Sequence, residues 1–520
     1  MAVPQDVDTP RAVTEPVDKG LRGSAIGLLA SVVIGLAATA PAYSITATLG
    51  FVVIAVGLHA PAVLFLAFFP MMAIAVAFAQ LNRDDPDCGT TFTWGTRTFG
   101  PWVGWLGGWG MTFAAVIAMA YLAGIAGQYF FLFFGAEDLA TSRGWVAVVG
   151  VAILAVMTIV CYRGIRISAR LQFVLFGIEA VMLLVFSVVA LVKVYSGHAP
   201  TGSVHPTMTW LNPFQTGGFS AFTAGLLLAL FIYWGWDSSV SINEETTDRH
   251  VNPGRAAVIA TVALLVLYML TATAAQAYGG GGTKGIGLAN PDTATDVLAT
   301  LGASTLGSTL NKLLILATFS SAIGALQTGI LPAARTTLAM STYRALPPAF
   351  GRMSPRFQSP SISTFFIGGS TAVLFVIGTF IAGGRVQWDS ISAIGLLIAF
   401  YYGLVGFTCV WYFRHDLRRS SKDLLLKGLI PLAGALVLTL AFLKSAWEMR
   451  KADYGYTSFH GVGGVFLLGV GTLVVGAVVM LGYAAARPGF FRGEHGPGEV
   501  PPPELRTDVA ADPAASGTLG

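Results

Sequence analysis

Charge is absent from this chain in long, uninterrupted stretches. Of its 520 residues, 11% are charged and 54% hydrophobic, whereas a soluble domain carries about a quarter charged residues. Crossing a bilayer as a helix takes roughly 20 apolar residues. Runs of that length recur near 22–48, 54–81, 101–134, 144–162, 168–195, 217–246, 255–278, 308–342, 361–382, 388–412, 423–444 and 459–485. The pattern predicts an all-α polytopic membrane protein with twelve transmembrane helices.

The same distribution excludes several classes. The net charge of +4 forms no continuous basic face, because the arginines sit between apolar runs, so nucleic acid is not an expected partner. Cys88, Cys161 and Cys409 make no disulfide framework and have no zinc-type spacing. Gly279–Gly282 is followed by no Gly-Lys-Ser/Thr, so it is an outer loop and not a phosphate loop. The scattered histidines form no metal pair, and no catalytic set emerges from spacing. The chain reads as no enzyme, with no cofactor and no metal site. Residues 1–20 are polar and lack the apolar core of a signal peptide.

Short-loop lysines and arginines set orientation. With the N-terminus inside, only Arg143, Lys193, Lys284, Lys312, Arg385, Lys444, Arg450 and Lys451 fall outside, against a much larger inner set. Both termini are therefore expected in the cytoplasm of a multi-pass cell-membrane protein. The expected layout is a cytoplasmic segment at 1–20, a transporter domain at 21–486 and a disordered cytoplasmic tail at 487–520.

Two spans contain helix breakers. Span one carries Gly35-Leu36-Ala37-Ala38-Thr39-Ala40-Pro41, where proline removes a donor and clashes with the preceding turn. Span six carries Phe231-Ile232-Tyr233-Trp234-Gly235-Trp236-Asp237. The breaks lie about 195 residues apart, the offset expected of two inverted repeats, near 22–195 and 217–412, followed by two extra helices near 423–485. In lipid, opened backbone is tolerated only where it is buried or lines a cavity. Its free N–H end suits a carboxylate and its carbonyl end an ammonium group.

At these residues the sequence resembles the amino acid–polyamine–organocation (APC) permease superfamily. The resemblance rests on Phe231…Gly235-Trp236-Asp237…Glu244-Glu245…Pro253-Gly254-Arg255, on Pro86-Asp87-Cys88-Gly89-Thr90-Thr91-Phe92-Thr93-Trp94 with Phe99-Gly100-Pro101, and on Arg335 with Leu346-Pro347. It implies a 5+5 inverted-repeat (LeuT-like) fold. It also implies a substrate carboxylate on the amides of Ala38, Thr39 and Ala40, and an amine on carbonyls near Ala37, Phe231 and Ile232, with Gly235 at the second break. Phe231 would close over the substrate, and Tyr401 or Tyr402 would serve an outer gate. The chain departs from the family where Ala38-Thr39-Ala40 replaces Gly-Ser-Gly, and where Glu179 stands in place of a helix-five lysine.

Asp237 and Glu179 lie within apolar spans, where a carboxylate is costly unless paired, hydrated or protonated. Both are candidates for proton coupling. Thr318, Ser320 and Ser321 are weaker candidates for a sodium site, the alternative being hydroxyls bonded to their own helix. Glu244 and Glu245 are inner-gate candidates with Arg255 or Arg335 as partners. The expected function is a permease moving amino acids by alternating access, coupled to protons in preference to sodium. A polyamine or amine transporter, an amino acid exchanger, and a membrane sensor on this scaffold are the alternatives.

Overall fold

The structure, a computed structural model, describes residues 17–494 together with 496 and 497. Helices dominate. In chain order they are α1 (Leu28–Ala38), α2 (Pro41–Val56), α3 (Ala60–Asp84), α4 (Thr91–Phe99), α5 (Pro101–Phe133), α6 (Glu137–Thr141), α7 (Arg143–Tyr162) and α8 (Ile165–Tyr195). The second half holds α9 (Phe219–Ile232), α10 (Ser238–Ser241), α11 (Asn252–Gly279), α12 (Val297–Thr342), α13 (Ser361–Phe380), α14 (Arg385–Tyr412), α15 (Ser421–Asp423), α16 (Ile430–Met449) and α17 (Gly464–Ala486). A π-helical segment, Leu424–Leu429, joins α15 to α16, and a two-stranded hairpin, Ser458–Phe459 with Val462–Gly463, precedes α17. Ten helical runs among the described residues are long and apolar enough to cross a membrane, the first being Leu28–Asp84.

Most expected spans coincide with these helices. The boundary between spans one and two does not. Helix persists to Val56 and the chain turns through Gly57–His59, because residues 48–56 carry no polar residue that would end the helix except Thr48. Among the elements not foreseen are α4, the short α6, the hairpin, and the first part of α12. Gly307 (φ 76°, ψ 171°) divides that long helix, a conformation a side chain rarely adopts. Of the expected 487–520 tail, the turn Phe490–Arg492 packs its phenylalanines against Phe92 and Trp102, and residues beyond 497 lie outside the described set. Residues 1–16 of the N-terminal segment lie outside it as well.

Helix α12 packs against both α5 and α8, α3 packs on α11 and α14 on α16. The two interrupted segments, α1–α2 and α9–α10, run inside this frame, and α2 is almost wholly buried. The outward faces of α8 and α17 expose Val181, Val188, Val474 and Leu481, apolar side chains suited to lipid and not to water.

The first interruption has a local cause. Pro41 has no N–H and disfavours the α region for the residue before it. Ala40 adopts φ 45°, ψ 60°, and Pro41 begins α2 at the position where proline is best tolerated. Left-handed backbone costs a residue with a Cβ roughly 1–2 kcal/mol. Replacing Ala40 by β-branched valine is expected to lower detergent stability by about 1–2 kcal/mol, and Ala40→Gly to leave it equal or higher. A thermal unfolding series in which the valine variant matches the wild type would show that the tight turn at Ala40 is not required.

Candidate functional site

The two breaks touch. After α9 ends, Gly235 takes φ 125°, and a Cβ built on it would lie 2.5 Å from the Ala38 carbonyl oxygen and 2.9 Å from the Thr39 nitrogen. Only a residue without a side chain lets the opened backbones lie against each other at that separation. Beside the contact is a small cavity of ≈ 30 Å³. Ala38, Trp234, Gly235, Asp237, Ser238 and Tyr401 line it from the broken helices and α14, and Met111, Met119, Leu122 and Pro332 line it from α5 and α12. It has room for little more than a water molecule, so the helices are closed around it.

Polar groups at the breaks have specific partners. The amides of Thr39 and Ala40 donate to Leu36 and Ala37 carbonyls, at 3.2 and 3.1 Å, and so finish α1. The donors left over lie past the proline. Ala42 N–H donates to Glu179 Oε1 at 2.5 Å, Tyr43 N–H donates to Ser321 Oγ at 3.3 Å, and the Ser321 hydroxyl donates to Glu179 Oε1 at 2.7 Å. Glu179, from α8, thus caps α2. The amides of Thr39 and Ala40, expected to meet a substrate carboxylate, are thus spent within α1, and the amides without helix partners are those of Ala42 and Tyr43, because Pro41 moves the orphan donors onward.

The expected acceptors are also engaged. Ala37 O takes Ala40 N–H, Phe231 O takes Trp234 N–H at 3.1 Å, and Ile232 O takes the Tyr268 hydroxyl at 2.6 Å. Half-buried Phe231 packs against the apolar core, and Trp234, not Phe231, borders the cavity. Asp237 accepts from Tyr401 at 2.9 Å and Tyr402 at 3.0 Å, while Trp234 Nε1 donates to the Tyr401 oxygen at 2.5 Å. The tyrosines expected at an outer gate therefore hold a carboxylate at the break. Thr318 and Ser320 donate to the Leu314 and Ala317 carbonyls of their own helix, and Ser321 reaches across to Glu179 on α8.

The profile of the amino acid permease family matches residues 24–484. The chain belongs to the amino acid permease family. An uncharacterized transporter of Mycobacterium tuberculosis is 27% identical over 440 residues, 83% of this permease and 89% of the relative. An arginine/ornithine antiporter of Lactococcus lactis is 22% identical over 76% of this permease and 80% of its own length. A low-affinity putrescine importer of Escherichia coli is 21% identical, over 73% and 79%. The permease is a multi-pass membrane transporter and not an enzyme.

Beyond the breaks, at the end where α10 finishes, charged groups of the permease pair with one another. Lys19 Nζ sits 2.8 Å from Asp87 Oδ2 and 2.6 Å from Glu244 Oε1, and the Cys88 amide donates to the same Glu244 oxygen at 2.9 Å. Tyr343, Thr93 and the Gly89 amide also donate to Asp87. Glu245 pairs with Arg335 at 2.5 Å, both fully buried. Of the two partners expected, Glu245 therefore takes Arg335, and Glu244 takes Lys19. Ala25 and Ile26 amides donate to the Glu245 carbonyl, and Thr247 N–H to that of Ile26, so the strand before α1 is stitched to the strand after α10. Sequence reasoning missed Lys19 and Tyr343, which lie 68 and 256 residues from Asp87. The available signal was Asp87 itself, an acid in an otherwise small and polar turn.

Burial opposes ionisation of Asp87, but Lys19, the Tyr343 hydroxyl and the Gly89 amide outweigh it and lower its carboxyl from 3.8 to about 2. A depressed carboxyl contributes stability that is complete above its unfolded value and lost as pH falls toward the folded one. Asp87 therefore contributes its stability in full above about pH 4 and loses it as the pH falls toward about 2.

Removing Lys19 strands two buried carboxylates, at a cost of about 3–5 kcal/mol. Lys19→Ala is expected to raise alkylation of buried Cys88 by a membrane-permeant maleimide at least about tenfold through local opening, with Cys161 and Cys409 unchanged as internal controls. Equal Cys88 rates would show that Lys19 does not hold this end shut. Separately, Gly235→Ala puts a methyl into the Ala38 carbonyl and is expected to destabilise by about 2–4 kcal/mol. A fully stable, active alanine variant would contradict the close approach.

Proposed function

We propose that the permease is a secondary active transporter moving small molecules that bear an amino group, by alternating access and with proton coupling. The observation that carries the reading is the contact between two interrupted helices with a cavity beside it. That arrangement presents helix ends to a small polar ligand without a permanent opening through the bilayer. Twelve spans in a 5+5 inverted-repeat order within 21–486, followed by two further helices, is the reading of the ten apolar runs that fits best. Leu28–Asp84 is 57 residues long and turns at Gly57, enough for two crossings, and Phe219–Ser241 makes one interrupted crossing. Loop charges favour both termini on the cytoplasmic side.

On that orientation the Lys19–Asp87–Glu244 and Glu245–Arg335 groups are an inner gate, and opening inward means parting α1 and α10 from the α3–α4 turn and α12. Relatives named for arginine/ornithine antiport and putrescine import support a cargo with amino groups. Asp237 and Glu179 are the proposed proton carriers. Glu179 bonds both α2 and α12 from α8, so a change in its charge biases three elements at once. Sodium is the second reading, in which the hydroxyl oxygens of Thr318, Ser320 and Ser321 would supply ligands.

Uptake into proteoliposomes of a panel of radiolabelled amino acids and amines, with and without an imposed pH gradient, tests this. The wild type is expected to accumulate a panel member only with the gradient. Asp237→Asn or Glu179→Gln is expected to abolish gradient-driven accumulation while exchange continues, and the affected variant identifies the carrier. Accumulation that ignores the gradient in the wild type, or survives in both variants, would overturn proton coupling. No transport of any panel member would overturn the transporter assignment for these substrates.

A further inference from the structure

We infer that the site selects primary amines that carry no carboxylate, and excludes the amino acids from which such amines differ by that group alone. The inference rests on the transporter reading above and narrows its substrate class.

A zwitterion asks two things of a broken helix: open amides for its carboxylate and acceptors for its ammonium. The amide seat is already filled. Glu179 Oε1 receives both the Ala42 N–H and the Ser321 hydroxyl, and the Tyr43 N–H goes to that same serine. Glu179 is itself buried, so it does not lie loosely over the seat. A substrate carboxylate arriving there would have to share donors with another carboxyl group. If that group is ionised, two like charges meet within hydrogen-bond reach, away from water. If it is protonated, its oxygen still accepts the amide proton.

The remaining features of the site favour a cation. Ala38, at the C-terminal and partly negative end of α1, borders the cavity. Asp237 borders it with a carboxylate held in place by two tyrosine hydroxyls. Trp234 and Tyr401 add aromatic rings, which attract ammonium groups. Among the described residues, no lysine, arginine or histidine lines the cavity to balance these groups. Met111 and Met119 offer an adaptable apolar wall for an alkyl chain. One acid and no base at the cavity, with a second acid, Glu179, holding the amide end of α2, make a poor seat for a group that brings another negative charge.

Matched pairs that differ by one carboxylate test the inference directly: putrescine against ornithine, cadaverine against lysine, and 3-methylbutylamine against leucine. Equilibrium binding to the purified full-length permease and uptake into proteoliposomes are measured for each. The expected result is at least one pair in which the amine binds roughly tenfold or more tightly than its amino acid, and in which only the amine is transported. An amino acid that binds and is transported as well as its amine would overturn the inference and leave the transporter reading standing. Failure of every compound to bind or move would instead overturn the transporter reading for this panel, and the inference with it. Glu179→Ala vacates the amide and is expected to shrink the binding gap to below about threefold. In Glu179→Gln the side-chain carbonyl still accepts the amide proton, so the gap is expected to persist. A gap unchanged in both variants would overturn the assignment to Glu179.

Discussion

The backbone of Gly235 pressed against that of Ala38 is the constraint from which the rest of the site follows. Helices usually keep their backbones apart by the width of two layers of side chains. Here two interrupted helices meet with none between them. Backbone opened inside a bilayer has no water to satisfy it, so every freed amide and carbonyl needs a partner from a neighbouring helix. Glu179 and Ser321 supply the amides after Pro41, and Tyr268 supplies the carbonyl that ends α9. Those partners arrive on α8, α12 and α11, the elements that enclose the broken pair.

The two ends of the breaks differ in character as a result. The amide end of α2 is sealed by an acid of the permease itself. The carbonyl end of α1 and the acid of the second break border the cavity. At the far end of the same helices the charges are paired: Lys19 between Asp87 and Glu244, and Arg335 with Glu245. Buried pairs of this kind are weak sources of net stability but costly to leave half-broken. That property suits a closure that is either fully made or fully released. The backbone stitching of residues 25–26 to 245–247 ties α1 and α10 into one unit at that end.

Much of this organisation was legible in the sequence because it depends on local chemistry. Helix lengths follow from unbroken apolar runs. Pro41 and Gly235 announce the interruptions, and Glu179 and Asp237 announce themselves as acids in apolar surroundings. The error at the first break is instructive. The amides of Ala38 to Ala40 were expected to be free, yet helix geometry places orphan donors after the residue that starts the new helix. Taking Pro41 as that first residue points to Ala42 and Tyr43. Phe231 and Trp234 exchanged places for a similar reason. Once α9 ends at Ile232, the turn beyond it carries the tryptophan toward the cavity and leaves the phenylalanine on the core side.

By itself the sequence determined that the chain is a bundle of apolar helices, which two of them are broken, and which acids lie within them. Each of those properties is decided within a few residues, by hydropathy, by a missing N–H or by a missing side chain. Only the tertiary structure decided which groups face each other: Glu179 on α2, the two tyrosines on Asp237, Lys19 between two acids. Partners separated by 68 to 225 residues meet through the packing of whole helices. Packing depends on the shapes of many side chains at once, and no local run of residues records it.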